Sequence, residues 1–83
     1  MKVHVRYFAS VREALGKGGE AVDTQAGTLA ALRDELIARG QPYEVALARG
    51  KAVRMALDQV MSAEAAALRD GAEVAFFPPV TGG

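Results

Sequence analysis

The chain closes with Phe76-Phe77-Pro78-Pro79-Val80-Thr81-Gly82-Gly83. Two aromatic residues can complete a strand, whereas each proline fixes φ near −65° and removes a backbone donor, so a strand has to stop there. The residues after the prolines cannot fold back as a helix. At roughly 3.1 to 3.3 Å per residue, residues 78–83 would reach on the order of 20 Å beyond the last strand. We therefore expect a sheet whose last strand leads into a flexible, functional tail.

Length and composition predict a single small domain spanning residues 1–83. Half of the chain is hydrophobic (51%), and ten Lys and Arg balance ten Asp and Glu. A balanced charge gives no net field to attract nucleic acid or an anionic membrane. The absence of cysteine excludes a disulfide framework, a thiol nucleophile and a thiolate ligand. Since the first residues match neither a signal peptide nor a membrane span, we expect a soluble protein of the cytoplasm, with no nucleic-acid or membrane partner.

The N-terminal third predicts two paired strands. Residues 2–8 alternate in a period of two, which is typical of a half-buried strand. Phe8 breaks the alternation, because it falls on the face otherwise left to polar residues. Residues 10–13 match a capping box, Ser-x-x-Glu, and predict a short helical turn that ends at Leu15-Gly16. A glycine-rich turn then leads to a second strand over residues 20–24.

The main helix is predicted to begin after Thr28 and to run up to Gly40. Thr28 is a favourable N-cap, and apolar side chains recur at helical spacing. The apolar stripe consists of Leu29, Leu32, Leu36 and Ile37. The opposite, solvent-facing side is assigned to Arg33, Asp34, Glu35 and Arg39.

The remaining chain predicts three further strands. Residues 43–48 are compatible with either helix or strand, and residues 49–51, Arg-Gly-Lys, predict a turn. Residues 52–57 alternate as a strand, with a turn at Asp58-Gln59 and a short return at 60–61. Ser62 is expected to cap an alanine-rich turn over residues 63–68. Residues 72–77 form the last strand. The predicted fold class is α+β, with a mixed sheet packed on one main helix and the first and last strands paired in the middle.

Side chains that could carry chemistry are scarce. His4 is the only histidine and has no acidic neighbour in sequence, so we interpret it as a solvent-facing strand residue. The acidic residues are interpreted as solubilising charges, namely Glu13, Glu20, Asp23, Asp34, Glu35 and Glu44. We expect no bound cofactor and no metal site. Gly82 and Gly83 differ from the rest: without a Cβ they let a narrow active site close around the backbone, and a carboxylate can be activated by adenylation.

Residues 76–83, together with the preceding Asp70-Gly71 turn, resemble the C-terminal signature of the MoaD family, the small subunits of molybdopterin synthase. Residues 7–13 resemble that family's opening strand and first helix. The resemblance implies the ubiquitin-like β-grasp fold. A departure is Asp58-Gln59, where the family has asparagine and glutamine.

The resemblance also implies a sulfur carrier whose catalytic side chains belong to its partners. A MoeB-like E1 adenylating enzyme would use ATP to activate Gly83, with Gly82 beside it, and a sulfur donor would replace AMP to leave a thiocarboxylate. The tail would then enter a MoaE-like large subunit, in a heterotetramer of two small and two large subunits. There the sulfur would pass to cyclic pyranopterin monophosphate.

Residues expected to bind the partners lie on the sheet and along the tail. Apolar groups exposed on a small domain mark an interface. The resemblance adds Met61, because the family keeps an apolar residue at that position on the same face. The predicted contact residues are Phe8, Arg12, Met61, Phe77, Pro78, Pro79, Val80 and Thr81. Two alternatives remain open. One is that Phe8 and Phe77 cover a core edge; the other is that the chain is a ThiS-like or Urm1-like carrier, or a noncatalytic module that docks its tail.

Overall fold

The computed structural model describes residues 1–79, so Val80 to Gly83 lie outside the described residues. Eight elements follow one another along the chain. The strands are β1 Lys2–Tyr7, β2 Gly19–Asp23, β3 Arg54–Leu57, β4 Val60–Met61 and β5 Glu73–Phe77; the helices are α1 Ala9–Leu15, α2 Leu29–Ile37 and α3 Tyr43–Ala46.

All five strands join one mixed sheet in the order β2-β1-β5-β3-β4. β1 and β5 pair in parallel at its centre, and the other pairs are antiparallel. The predicted pairing of the first and last strands in the middle is therefore confirmed. Because β5 is central, the tail starts from the middle of the sheet rather than from its edge.

One face of the sheet and the apolar stripe of α2 form the core. Val3, Val5 and Tyr7 of β1 alternate inward as predicted, and the Tyr7 and Phe76 rings stack with centroids 6.2 Å apart. From α2 the core receives Leu29, Leu32 and Leu36, each 0% exposed. Within the described residues, no helix combines the length and the apolar character that crossing a membrane requires.

The backbone amides in the first turn of α2 donate hydrogen bonds to two kinds of acceptor, the capping side chain and a neighbouring segment of backbone. The Thr28 hydroxyl accepts a hydrogen bond from the Ala31 amide at 3.1 Å, which confirms the predicted cap. The amides of Leu29 and Ala30 donate to the carbonyls of Ala66 and Glu64 at 3.1 and 2.9 Å. The segment between β4 and β5 thereby docks on the helix through otherwise orphaned donors.

Three local predictions were wrong. Helix α1 begins at Ala9 after Phe8, with no side-chain cap, so Ser10 lies inside the helix and the capping box does not form. Ser62 does not cap either, because its hydroxyl donates to the Val60 carbonyl at 2.8 Å. Arg33 does not face solvent: it is only 4% exposed.

The open segment 41–51 contains the four-residue helix α3, followed by residues 47–51 without regular structure. The predicted turn at Asp58-Gln59 is confirmed, with both residues at positive φ (50° and 69°). The Asp58 carboxylate accepts a hydrogen bond from the Glu73 amide at 3.0 Å, so the aspartate ties the turn to β5.

Candidate functional site

The root of the tail is set by the alternation of β5. Phe76 points into the core and is 0% exposed, whereas Phe77 is half-buried on the outer face of the sheet. Pro78 and Pro79 follow, both half-buried. Two consecutive prolines cannot supply the amide donors that would extend the ladder. The described chain thus leaves the sheet at the place where the sequence predicts that the tail begins.

The aromatic residues flanking this exit share one face. Phe8 is 43% exposed, and its amide donates to the Phe76 carbonyl at 3.1 Å, which sets Phe8 beside the end of β5. The guanidinium of Arg6 lies 5.8 Å from the centre of the Phe8 ring. Since β1 buries Tyr7, Phe8 has to face outward, as Phe77 does.

Met61 lies on the same outer face but two strands away. It is 60% exposed and pairs with Ala56, which pairs in turn with Ala75 of β5. Because these two alanines have small side chains, the sheet surface between Met61 and Phe77 is shallow and apolar. The structure therefore places Phe8, Phe77 and Met61 on one surface, which we call the outer apolar patch.

Basic side chains border the outer apolar patch. Arg54 pairs directly with Phe77 across the β3–β5 ladder, and Arg12 and Phe8 line one groove together with Arg6. The role of Arg12 beside the patch stays a prediction. The same groove is also lined by Glu20 and Glu73, so charges of both signs lie near the outer apolar patch.

A second cluster was not predicted from the sequence. Tyr7 and Tyr43 both donate hydrogen bonds to Oε2 of Glu20, at 2.9 and 2.7 Å, and Arg39 donates to Oε1 at 3.1 Å. Lys17 donates to the Tyr43 hydroxyl at 3.0 Å. The interpretation of Glu20 as a solubilising charge was therefore wrong. The cluster connects β2, α3 and the end of α2.

Electrostatics of the cluster follow from these contacts. Burial alone would raise the pKa of Glu20, but hydrogen bonds from Tyr43, Tyr7 and Arg39 outweigh it and hold that pKa below its ordinary value. Burial, and then the hydrogen bond to Glu20, raise the pKa of Tyr7. Glu20 is thus ionised at neutral pH, while Tyr7 keeps its proton as a donor.

Two other acidic residues also hold specific partners. The Thr24 hydroxyl donates to Glu35, and Asp34 forms an ion pair with Arg49 at 2.9 Å. His4 is exposed, as predicted. Residues 1–79 contain no group of three or more histidine, cysteine or acidic residues placed to hold a metal ion. Four of the predicted site residues, Val80, Thr81, Gly82 and Gly83, lie outside the described residues and stay predictions.

Comparison with known proteins decides the family. Residues 5–83 match the model of the ThiS family. The chain belongs to the ThiS family. Among its relatives is the molybdopterin synthase sulfur carrier subunit of Escherichia coli, 41% identical over 98% of this chain and 99% of that protein. The predicted membership among the small subunits of molybdopterin synthase is confirmed.

Solved structures agree with this placement in the ThiS family. SAMP1 from Haloferax volcanii superposes with a TM-score of 0.77 at 25% identity, covering 100% of both chains. Subunit 1 in a complex with subunit 2 of the molybdopterin-converting factor from Helicobacter pylori gives a TM-score of 0.66 at 25% identity, again over 100% of both chains. The predicted ubiquitin-like β-grasp fold is confirmed.

Proposed function

We propose that this chain is the sulfur carrier subunit of a molybdopterin synthase. The observation that carries the proposal is the 41% identity to a curated carrier subunit over 98% of this chain and 99% of that protein. The outer apolar patch supports it, because it lies beside the root of the tail where a partner receiving the tail has to dock.

In the proposed cycle the reactive group is the carboxylate of Gly83. A MoeB-like E1 enzyme binds ATP and transfers AMP to this carboxylate, releasing pyrophosphate. A sulfur donor at the oxidation level of sulfide then displaces AMP, which carries away one carboxylate oxygen, and a thiocarboxylate remains. The chain itself holds no cofactor in this scheme, and the activation takes place in the cytoplasm.

The receiving partner is a MoaE-like large subunit. A complex between two subunits of the molybdopterin-converting factor is known for the Helicobacter pylori relative. We propose the same kind of pairing here, in an assembly of two small and two large subunits. Phe8, Met61 and Phe77 would dock on the large subunit, with Arg12 at the rim, while Pro78 to Thr81 guide Gly82 and Gly83 towards cyclic pyranopterin monophosphate.

Intact mass tests the activation step. The chain is incubated with ATP, its adenylating enzyme and a sulfide source, and a gain of about 16 Da is expected because sulfur replaces oxygen. The control is the same chain lacking Gly83, for which no gain is expected. An unchanged mass of the full chain, with an enzyme shown to be active on another carrier, would favour a noncatalytic module whose tail only docks.

A thiazole-forming carrier is the second candidate, because the matching family model carries the ThiS description. The two carriers differ in the protein that accepts the sulfur. The thiocarboxylated chain is therefore offered separately to the large synthase subunit and to a thiazole synthase. Turnover with the large subunit alone supports the proposal, and turnover with thiazole synthase alone overturns it.

A further inference from the structure

Arg33 is the one charged side chain buried in the core of residues 1–79, with an exposure of 4%. A buried guanidinium persists only where its donors find acceptors, because an unpaired charge in the interior is strongly disfavoured. Arg33 lies on the inward side of α2, between Leu29 and Leu36 on the apolar stripe. Its contacts therefore show what this buried charge holds in place.

Three of its four hydrogen-bond acceptors are carbonyls of one short segment. Nε donates to Leu47 O at 2.8 Å, and Nη2 donates to Ala48 O at 2.7 Å and to Lys51 O at 3.2 Å. The fourth acceptor is the Glu64 carboxylate, 3.0 Å from Nη1. Residues 47–51 have no regular structure, so a single side chain supplies donors that a helix or sheet would otherwise provide.

The end of segment 47–51 lies close to Pro78, where the chain leaves the sheet. A small cavity of about 70 Å³ lies between α1 and this segment, and its lining includes Val11, Ala14, Lys51, Ala52 and Pro78. Pro78 is the first residue of the tail. Lys51, whose carbonyl accepts a hydrogen bond from Arg33, is thus the residue of the segment that lines this cavity together with Pro78.

We propose that Arg33 is a positioning residue for sulfur transfer, which fixes segment 47–51 and through it the direction of the tail at Pro78. This inference rests on the proposed function. Displacing a reacting group by about 1 Å can reduce a rate by as much as about 10²-fold.

The test compares Arg33→Met and Arg33→Lys with the wild-type chain. Methionine keeps much of the apolar volume but donates nothing, whereas lysine keeps the charge and part of the donation from a single nitrogen. Thr24→Val is the matched control. Thr24 is the other fully buried polar residue of the described chain, 4% exposed, and it donates to Glu35 and accepts from the Ala26 amide, away from segment 47–51.

Each chain is thiocarboxylated and mixed with the large synthase subunit and cyclic pyranopterin monophosphate, well below its own melting temperature. Both Arg33 variants should transfer sulfur about tenfold more slowly at saturating large subunit, with Kd unchanged within about twofold. Thr24→Val should lower the melting temperature without slowing transfer. The Lys51 amide, 2.9 Å from Ala48 O, should exchange with solvent faster in the Arg33 variants only.

Several outcomes would overturn the inference: wild-type transfer rates in folded Arg33 variants, weaker binding with an unchanged saturated rate, or equal slowing in Thr24→Val. If Arg33→Met does not fold, Arg33→Lys decides. Lack of transfer by the wild-type chain would instead count against the proposed function. Amide exchange at Lys51 would in that case still report whether Arg33 holds the segment, and unchanged exchange would reject it.

Discussion

The Tyr43 hydroxyl lies 2.7 Å from Oε2 of Glu20, and the side chain of Glu20 is 19% exposed. This contact connects the short helix α3 to the edge strand β2 across the end of the core. With Tyr7 and Arg39 also donating to it, Glu20 is held by three side chains. The carboxylate is thus a structural anchor for segments that have few other regular hydrogen bonds to each other.

Acid should therefore destabilise the fold through Glu20. Its pKa in the folded chain lies below the value of 4.5 expected for an isolated side chain. A lowered pKa means that the stabilisation is complete above that unfolded value and is lost as pH falls through the folded one. Glu20→Gln should cost roughly 1–3 kcal/mol at neutral pH, and the difference from wild type should narrow below about pH 4.5.

Urea unfolding measured between pH 3 and pH 7 checks this prediction. The control is Glu13→Gln on the exposed surface of α1, which should change the stability at neutral pH by no more than about 0.5 kcal/mol. A Glu20→Gln variant that kept a constant difference from wild type down to pH 3 would show that the carboxylate charge contributes nothing specific.

Substitution by glycine should have opposite effects on folding stability at Ala9 and at Ala14. Ala9 has φ of 51°, a left-handed conformation in which a Cβ is unfavourable. Ala9→Gly should therefore stabilise the domain by about 0.5–1 kcal/mol, whereas Ala14→Gly, on the exposed side of the same helix, should destabilise it by about 1 kcal/mol. Thermal unfolding of the isolated chain compares the two; loss of stability in both would mean that Ala9 is not strained.

Most of the fold could be predicted from two sequence patterns, the alternation of the strands and the apolar stripe of α2. Val3, Val5 and Tyr7 follow a period of two, and Thr28 caps a helix whose leucines face the sheet. These signals are local and hydrophobic, so they survive tertiary packing. The position of Phe77 on the outer face followed from the same alternation, because its neighbour Phe76 had to be buried.

Interactions between distant polar groups could not be predicted in the same way. Arg33 was assigned to solvent by its charge, although position 33 is four residues after Leu29 and three before Leu36, on the apolar stripe. Helical periodicity alone predicts that Arg33 lies on the buried side of α2, whereas its charge favoured the solvent-facing side. Glu20 gave no such signal, because Tyr43 approaches it from 23 residues away.

Alanine substitutions at Phe76 and Phe77 should affect different properties, the first folding stability and the second binding to the large subunit. Phe76 is 0% exposed, so Phe76→Ala should cost about 3–5 kcal/mol of stability and leave the domain largely unfolded on heating to modest temperatures. Phe77→Ala removes a ring from the outer apolar patch and should cost about 1 kcal/mol or less. It should nevertheless weaken binding to the large subunit tenfold or more, because buried aromatic anchors dominate interfaces.

Phe8→Ala provides an independent check of the outer apolar patch, since Phe8 is 43% exposed and lies outside the core. Calorimetric titration with the large subunit measures its affinity, and thermal unfolding measures its stability. Should Phe8→Ala or Phe77→Ala unfold the domain without weakening binding, the rings would be covering a core edge instead of docking.

The last residue should matter for transfer and not for folding. Deleting Gly83, or adding one alanine after it, removes or displaces the proposed reactive carboxylate, so sulfur transfer to cyclic pyranopterin monophosphate should fall below detection. Neither change touches the core, which lies within residues 3–76, so the melting temperature should shift by no more than about 1 °C. Adding one alanine before Met1 is the matched control and should leave transfer intact. Sulfur transfer that survived either change at Gly83 would mean that the terminal carboxylate is not the group that carries the sulfur.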